Sequence, residues 1–92
     1  MIPVRGTFSF WAEVDGVPQG DPLLEEIYDV AFALSTNGPD IPGSRPLTIP
    51  FGNRYLPGYV IDLPSGAGYI TYAAVTAPDG EHLIAMLSLI WF

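Results

Sequence analysis

Apolar and polar residues alternate from Val4 to Val14. Val4, Phe8, Phe10, Ala12 and Val14 fall on one side and Arg5, Thr7, Ser9, Trp11 and Glu13 on the other, and this period of two predicts a half-buried strand over 4–14. Asp15-Gly16-Val17-Pro18-Gln19-Gly20 is turn chemistry and reverses the chain. Residues 23–36 carry two patterns at once. Leu23, Leu24, Ile27, Tyr28, Ala31 and Leu34 recur at helical spacing, behind an Asp21-Pro22 start and ahead of an Asn37-Gly38 stop. Tyr28, Val30, Phe32 and Leu34 also alternate with Asp29, Ala31, Ala33 and Ser35, and the β-branched and aromatic content favours a strand, with a short helix in 22–35 as the alternative.

Five prolines between Asn37 and Pro57 predict an irregular excursion around one extended piece, Leu47-Thr48-Ile49, which Pro50 confines to a sheet edge. Tyr59–Leu63 reads as a strand ended by Pro64-Ser65-Gly66-Ala67-Gly68. Residues 69–77 read as another, and Ala77-Pro78-Asp79-Gly80 turns the chain into an antiparallel return over 81–92. Strand-sized segments parted by turn clusters predict an all-β chain, folded as a single antiparallel β-sandwich spanning 1–92.

The closing segment is apolar on both sides. Leu83, Ala85, Leu87, Leu89 and Trp91 suffice for the core face, and Ile84, Met86, Ile90 and Phe92 occupy the other, broken only by His82 and Ser88. A sandwich strand shows water one face, so either the 37–57 excursion or another molecule must cover the second. Ile84, Met86, Ile90 and Phe92 are therefore expected interface residues, and Trp11, on the polar side of the first strand, is a weaker one. Four such side chains, at about 1.5–3 kcal/mol each, yield roughly 6–12 kcal/mol gross. Association costs an estimated 4–15 kcal/mol, so repetition in a homo-oligomer or lattice is needed to make the contact useful.

Composition narrows the classes further. Ninety-two residues with 49% hydrophobic and 14% charged content are one small, densely packed domain rather than a disordered chain. Ten acids face only Arg5, Arg45 and Arg54, for a net charge of −7, so nucleic-acid phosphates and anionic membrane surfaces are not expected partners. The absence of cysteine removes disulfides, thiolate catalysis and thiolate-held metals. The opening Met1-Ile2-Pro3-Val4-Arg5-Gly6 has no basic leader or apolar run, so synthesis in the cytosol without export is expected. Residues 82–92 are shorter than the roughly 20 that cross a bilayer.

Candidate chemistry is sparse, and no catalytic, cofactor or metal residues are expected. His82 is the sole histidine, and serines 9, 35, 44, 65 and 88 lack a nucleophile elbow or a partnering lysine. Ser65-Gly66-Ala67-Gly68 has no lysine or helix start after it and reads as a turn rather than a phosphate cradle. Asp15, Asp21, Glu25 and Glu26 lack the spacing of a calcium loop, and Glu25 or Glu26 with Asp62 makes a glycosidase pair only as any two carboxylates do.

Phe8-Ser-Phe-Trp-Ala-Glu-Val-Asp-Gly-Val-Pro18, then Asp21-Pro22 with a strand ending in Asn37-Gly38, Arg54-Tyr-Leu-Pro-Gly-Tyr-Val-Ile-Asp-Leu63, and Ala67-Gly-Tyr-Ile-Thr-Tyr72 before an apolar strand closing on Trp91-Phe92 together resemble the small immunoglobulin-like β-sandwich modules of tailed-bacteriophage virion proteins. That likeness implies a non-enzymatic structural or decorating subunit of a virion, in contact with other virion proteins and with its own copies. Two rivals stand beside it. One is a small acidic anti-defence inhibitor using the carboxylates between Glu13 and Asp29. The other is a carbohydrate-binding module presenting Trp11, Tyr55, Tyr59 and Tyr69 as flat platforms.

Overall fold

The computed structural model describes residues 1–92, the side chain of Phe51 excepted. Along the chain run strand β1 (Val4–Gly6), helices α1 (Phe8–Asp15) and α2 (Pro22–Asn37), and strands β2 (Ser44–Phe51), β3 (Arg54–Asp62), β4 (Gly68–Thr76) and β5 (His82–Trp91).

The strand expected over 4–14 is corrected: it stops before Thr7, and a helix takes its place. Thr7 Oγ1 accepts a hydrogen bond from the Phe10 N–H at 3.2 Å and donates to the Leu87 carbonyl at 3.1 Å, so one hydroxyl caps a helix and ties it to β5. Beyond it Phe10, Val14 and Val17 are buried at helical spacing, a period hidden beneath the alternation. The preference for strand over 23–36 is corrected as well, and the helical alternative holds. Asp21 Oδ1 accepts from the Leu23 N–H at 2.9 Å and Pro22 opens the first turn. Gly38, at φ 86°, closes the helix with its N–H on the Leu34 carbonyl. Leu23, Ile27, Val30 and Leu34 form one buried stripe. Capping at both ends and a continuous apolar face outweigh β-branched propensity.

The strands form one sheet in the order β1-β5-β4-β3-β2, antiparallel except that β1 runs parallel to β5. The β-rich character expected from the sequence is present, but the antiparallel two-sheet arrangement is corrected: among the described residues there is one mixed sheet, and its second layer is helical. Two segments that would have supplied strands are helices, and they bury Phe10, Ile27 and Leu34 against Ile61, Ile70, Tyr72, Ile84, Met86 and Leu89. Glu26 anchors α2 to the β3–β4 turn, accepting from the Ser65 N–H and hydroxyl at 2.7 Å each.

A bulge decides which residues of β5 face the helices. Thr71 pairs with Ser88 while Tyr72 pairs with Met86, so Leu87 is an extra residue and the side-chain alternation reverses across it. Ile84 and Met86 before the bulge, and Leu89 and Trp91 after it, all pack into or against the core. Leu83, Ala85 and Ile90 alternate with these and point to the opposite face.

That opposite face is partly roofed by the chain itself. β3 pairs with β4 only through Tyr59–Asp62, and the outer half of the β2–β3 hairpin lies across the sheet as an arm. Ile49 and Pro50 border a groove of about 400 Å³ with Thr71, Leu87 and Ser88. Leu56 borders another, of about 600 Å³, with Val75, Ala85 and Leu87. The arm departs at Gly58, where a Cβ would sit 2.8 Å from the Tyr72 carbonyl oxygen and collide with the Ile49 side chain.

Candidate docking surface

Of the residues expected at an interface, the fold withdraws two. Ile84 and Met86 are only 1% and 3% exposed, beneath the helices and inside the core, so neither is available to a partner in this fold. The physical reason is the bulge at Leu87: strict alternation places both residues beside Ile90, whereas the extra residue turns them to the other face. Ile90 and Phe92 are 41% and 83% exposed.

Around these two the sheet builds an apolar corner. Tyr69 is the cross-strand partner of Ile90, and its ring centroid lies 6.4 Å from that of Phe92 at a tilt of 56°. The Phe92 N–H donates to the Ala67 carbonyl at 2.9 Å, which fixes the backbone carrying its ring. Tyr69 escapes a reading of β5 alone, because its membership follows from register. Trp11, 43% exposed, stands elsewhere. It packs edge-on to Phe10 with centroids 5.3 Å apart, over Gly6, where a Cβ would lie 2.5 Å from its Nε1. Gly6 pairs with Met86, so Trp11 belongs to the helical side and does not join the corner.

Charge is segregated between the two layers. Residues 7–43 hold seven acids, Glu13, Asp15, Asp21, Glu25, Glu26, Asp29 and Asp40, and no arginine or lysine, which accounts for the whole net charge of −7. The rest of the chain is balanced, with Arg5, Arg45 and Arg54 against Asp62, Asp79 and Glu81. Two of these arginines pair across the outer sheet face, Arg45 with Asp62 at 3.2 Å and Arg5 with Glu81 at 4.0 Å. A second copy meets no net repulsion there, unlike at the helices.

The remaining candidates take structural roles. His82 Nδ1 lies 3.2 Å from Thr76 Oγ1 in an exposed pair, Asp21 caps α2, and Glu26 holds Ser65. Among the described residues no three His, Cys, Asp or Glu side chains converge as metal ligands. The four aromatic platforms are dispersed. Tyr59 stacks on Tyr72 on the helical side at 5.4 Å, Tyr69 faces away from it, Tyr55 rides on the arm and Trp11 on α1. Tyr72 is fully buried and donates its hydroxyl to the Pro39 carbonyl at 2.6 Å. Burial pushes its pKa upward, the Ser44 hydroxyl opposes this, and Tyr59 and Asp40 add to it. No helix among the described residues is long and apolar enough to cross a membrane. Comparison with protein-family models, with curated proteins and with solved structures returns no match, so the functional reading rests on this chain's own geometry.

Proposed function

We propose that this chain is a non-enzymatic assembly subunit that docks through the outer face of its sheet, at Ile90, Phe92 and Tyr69. The observation that carries this reading is the position of two large apolar side chains, 41% and 83% exposed, on the one layer without net charge. Burying what remains exposed of both yields about 2–4 kcal/mol gross, in proportion to their 41% and 83% exposure. This does not exceed the estimated 4–15 kcal/mol cost of association, so a single contact is weak and many identical contacts are needed. A structural or decorating part of a virion, built from repeated copies beside other virion proteins, meets that requirement, and the resemblance in the sequence points the same way.

Sedimentation equilibrium over a rising concentration series tests the proposal against Ile90→Asp with Phe92→Asp. Wild-type chain should associate as concentration increases, and the double variant should stay monomeric while keeping its helix and strand content, because neither side chain is in the core. A wild-type chain that remains monomeric throughout defeats the proposal.

A further inference from the structure

The outward face of α2 combines aromatic and acidic side chains in a pattern that packing does not require. With Leu23, Ile27, Val30 and Leu34 turned into the core, Glu25, Tyr28, Asp29 and Phe32 point the opposite way. Tyr28 and Phe32 are 56% and 65% exposed, one helical turn apart. Glu25 and Asp29 form the neighbouring row at the same spacing, so two rings and two carboxylates make a four-membered cluster. No basic residue occurs in α2, and none lies in its last turn to offset the partial negative charge of that helix end. What sets these two rings apart from other exposed ones such as Phe8 and Tyr55 is that they adjoin one another on a single helix face beside two carboxylates, and that charge decides what the face can meet. A second copy of this face would meet the same carboxylates and be repelled.

We infer that this face of α2 binds a basic protein segment, with guanidinium groups lying over Tyr28 and Phe32 and paired with Glu25 and Asp29. An arginine fits better than a lysine because its planar cation stacks on a ring while its edge donates two parallel hydrogen bonds to a carboxylate. The inference goes beyond docking through the sheet and concerns the opposite layer of the molecule. Together the two surfaces make the subunit an adaptor, with copies or neighbours on the neutral side and a basic partner on the acidic side.

The probe is a fluorescein-labelled octa-arginine peptide, followed by anisotropy against the full chain, with octa-lysine in parallel. Wild-type chain should bind octa-arginine more tightly than octa-lysine, and binding should weaken when salt shortens the screening length from about 30 to about 10 Å. Tyr28→Ala with Phe32→Ala should weaken binding by roughly fivefold or more, since an exposed cation–π contact contributes about a two- to fivefold factor per ring. Glu25→Gln with Asp29→Asn should weaken it by more than Glu13→Gln with Asp15→Asn, a pair that changes the net charge equally on α1. Circular dichroism and the sedimentation series verify that each variant is folded and associates as wild type does. Three results overturn the inference: no binding of octa-arginine, equal weakening by the α1 and α2 charge pairs, or loss of self-association on removing the two rings. The last would make this face a contact between copies. The first two outcomes are read by peptide binding alone and do not depend on Ile90 or Phe92, so this inference and the docking proposal fail separately.

Discussion

The two faces of the sheet are covered by different means. On one face two helices bury Phe10, Ile27 and Leu34 completely against Ile70, Tyr72, Ile84 and Leu89, and this layer carries all of the net charge on its outer side. On the other, a proline-bearing arm stands over Leu87, Ala85 and Val75 with grooves beside it, and Ile90 and Phe92 lie beyond its reach. A chain of this size thus has one fully closed core and one half-closed surface. The difference teaches that apolar content on both sides of β5 does not make both sides equivalent. The helical side holds the fold together, and the arm side leaves the apolar side chains of Ile90 and Phe92 in water.

Truncation should separate the two faces most widely. Leu34→Ala, in the helical layer, is expected to cost about 2–5 kcal/mol, the usual range for a fully buried leucine. Leu87→Ala under the arm should cost clearly less, since Leu87 is only half-buried. Urea denaturation of both variants measures the gap, and equal losses would show that the arm closes a second core. A smaller effect is expected at the hinge of the arm. Gly58→Ala puts a Cβ against the Tyr72 carbonyl oxygen, so β3 must shift from β4 at about 1–3 kcal/mol. If the arm lifts, binding of a hydrophobic dye should rise as Leu56, Val75 and Ala85 open to water. Unchanged stability and dye binding would mean that the arm's position does not depend on that glycine.

The smallest effect is expected from pH, and only on the helical side. Burial raises the Tyr72 pKa in the folded chain, whereas an unfolded tyrosine titrates near 10. The folded state therefore holds its proton to higher pH. Its contribution to stability is complete below about pH 10 and is lost as pH rises past that value toward the folded one. Tyr72→Phe should flatten this alkaline fall while losing about 1 kcal/mol at neutral pH with the bond to Pro39. Stability curves measured from neutral to alkaline pH give both quantities, and an unaltered alkaline slope would show that Tyr72 does not control it.

Only part of the hairpin half was legible in the sequence: the irregular excursion expected over 37–57 is instead largely a regular hairpin of β2 and β3, with Pro46 and Pro50 accommodated on the edge strand. The strands after Tyr59, the Ala77–Gly80 turn and the edge position of the piece before Pro50 all follow from local turn chemistry and period-two patterning, which need no knowledge of the rest of the chain. The first half was harder because its segments satisfy two periods at once. Phe8–Val14 alternates and also places Phe10 and Val14 four apart, and the cap at Thr7 resolves the ambiguity. Of the exposed apolar corner, the outward placement of Ile90 and Phe92 was legible and that of Tyr69 beside them was not, since it joins them only through the β4–β5 register.

By itself the sequence determined a small, acidic, cysteine-free, β-rich chain with one closing strand greasy on both sides, because composition and short-range patterning are local properties. Tertiary structure alone decided which side of that strand is core. One extra residue at Leu87 reverses the alternation, and a reversal of that kind exists only in the pairing of two strands, not along either of them.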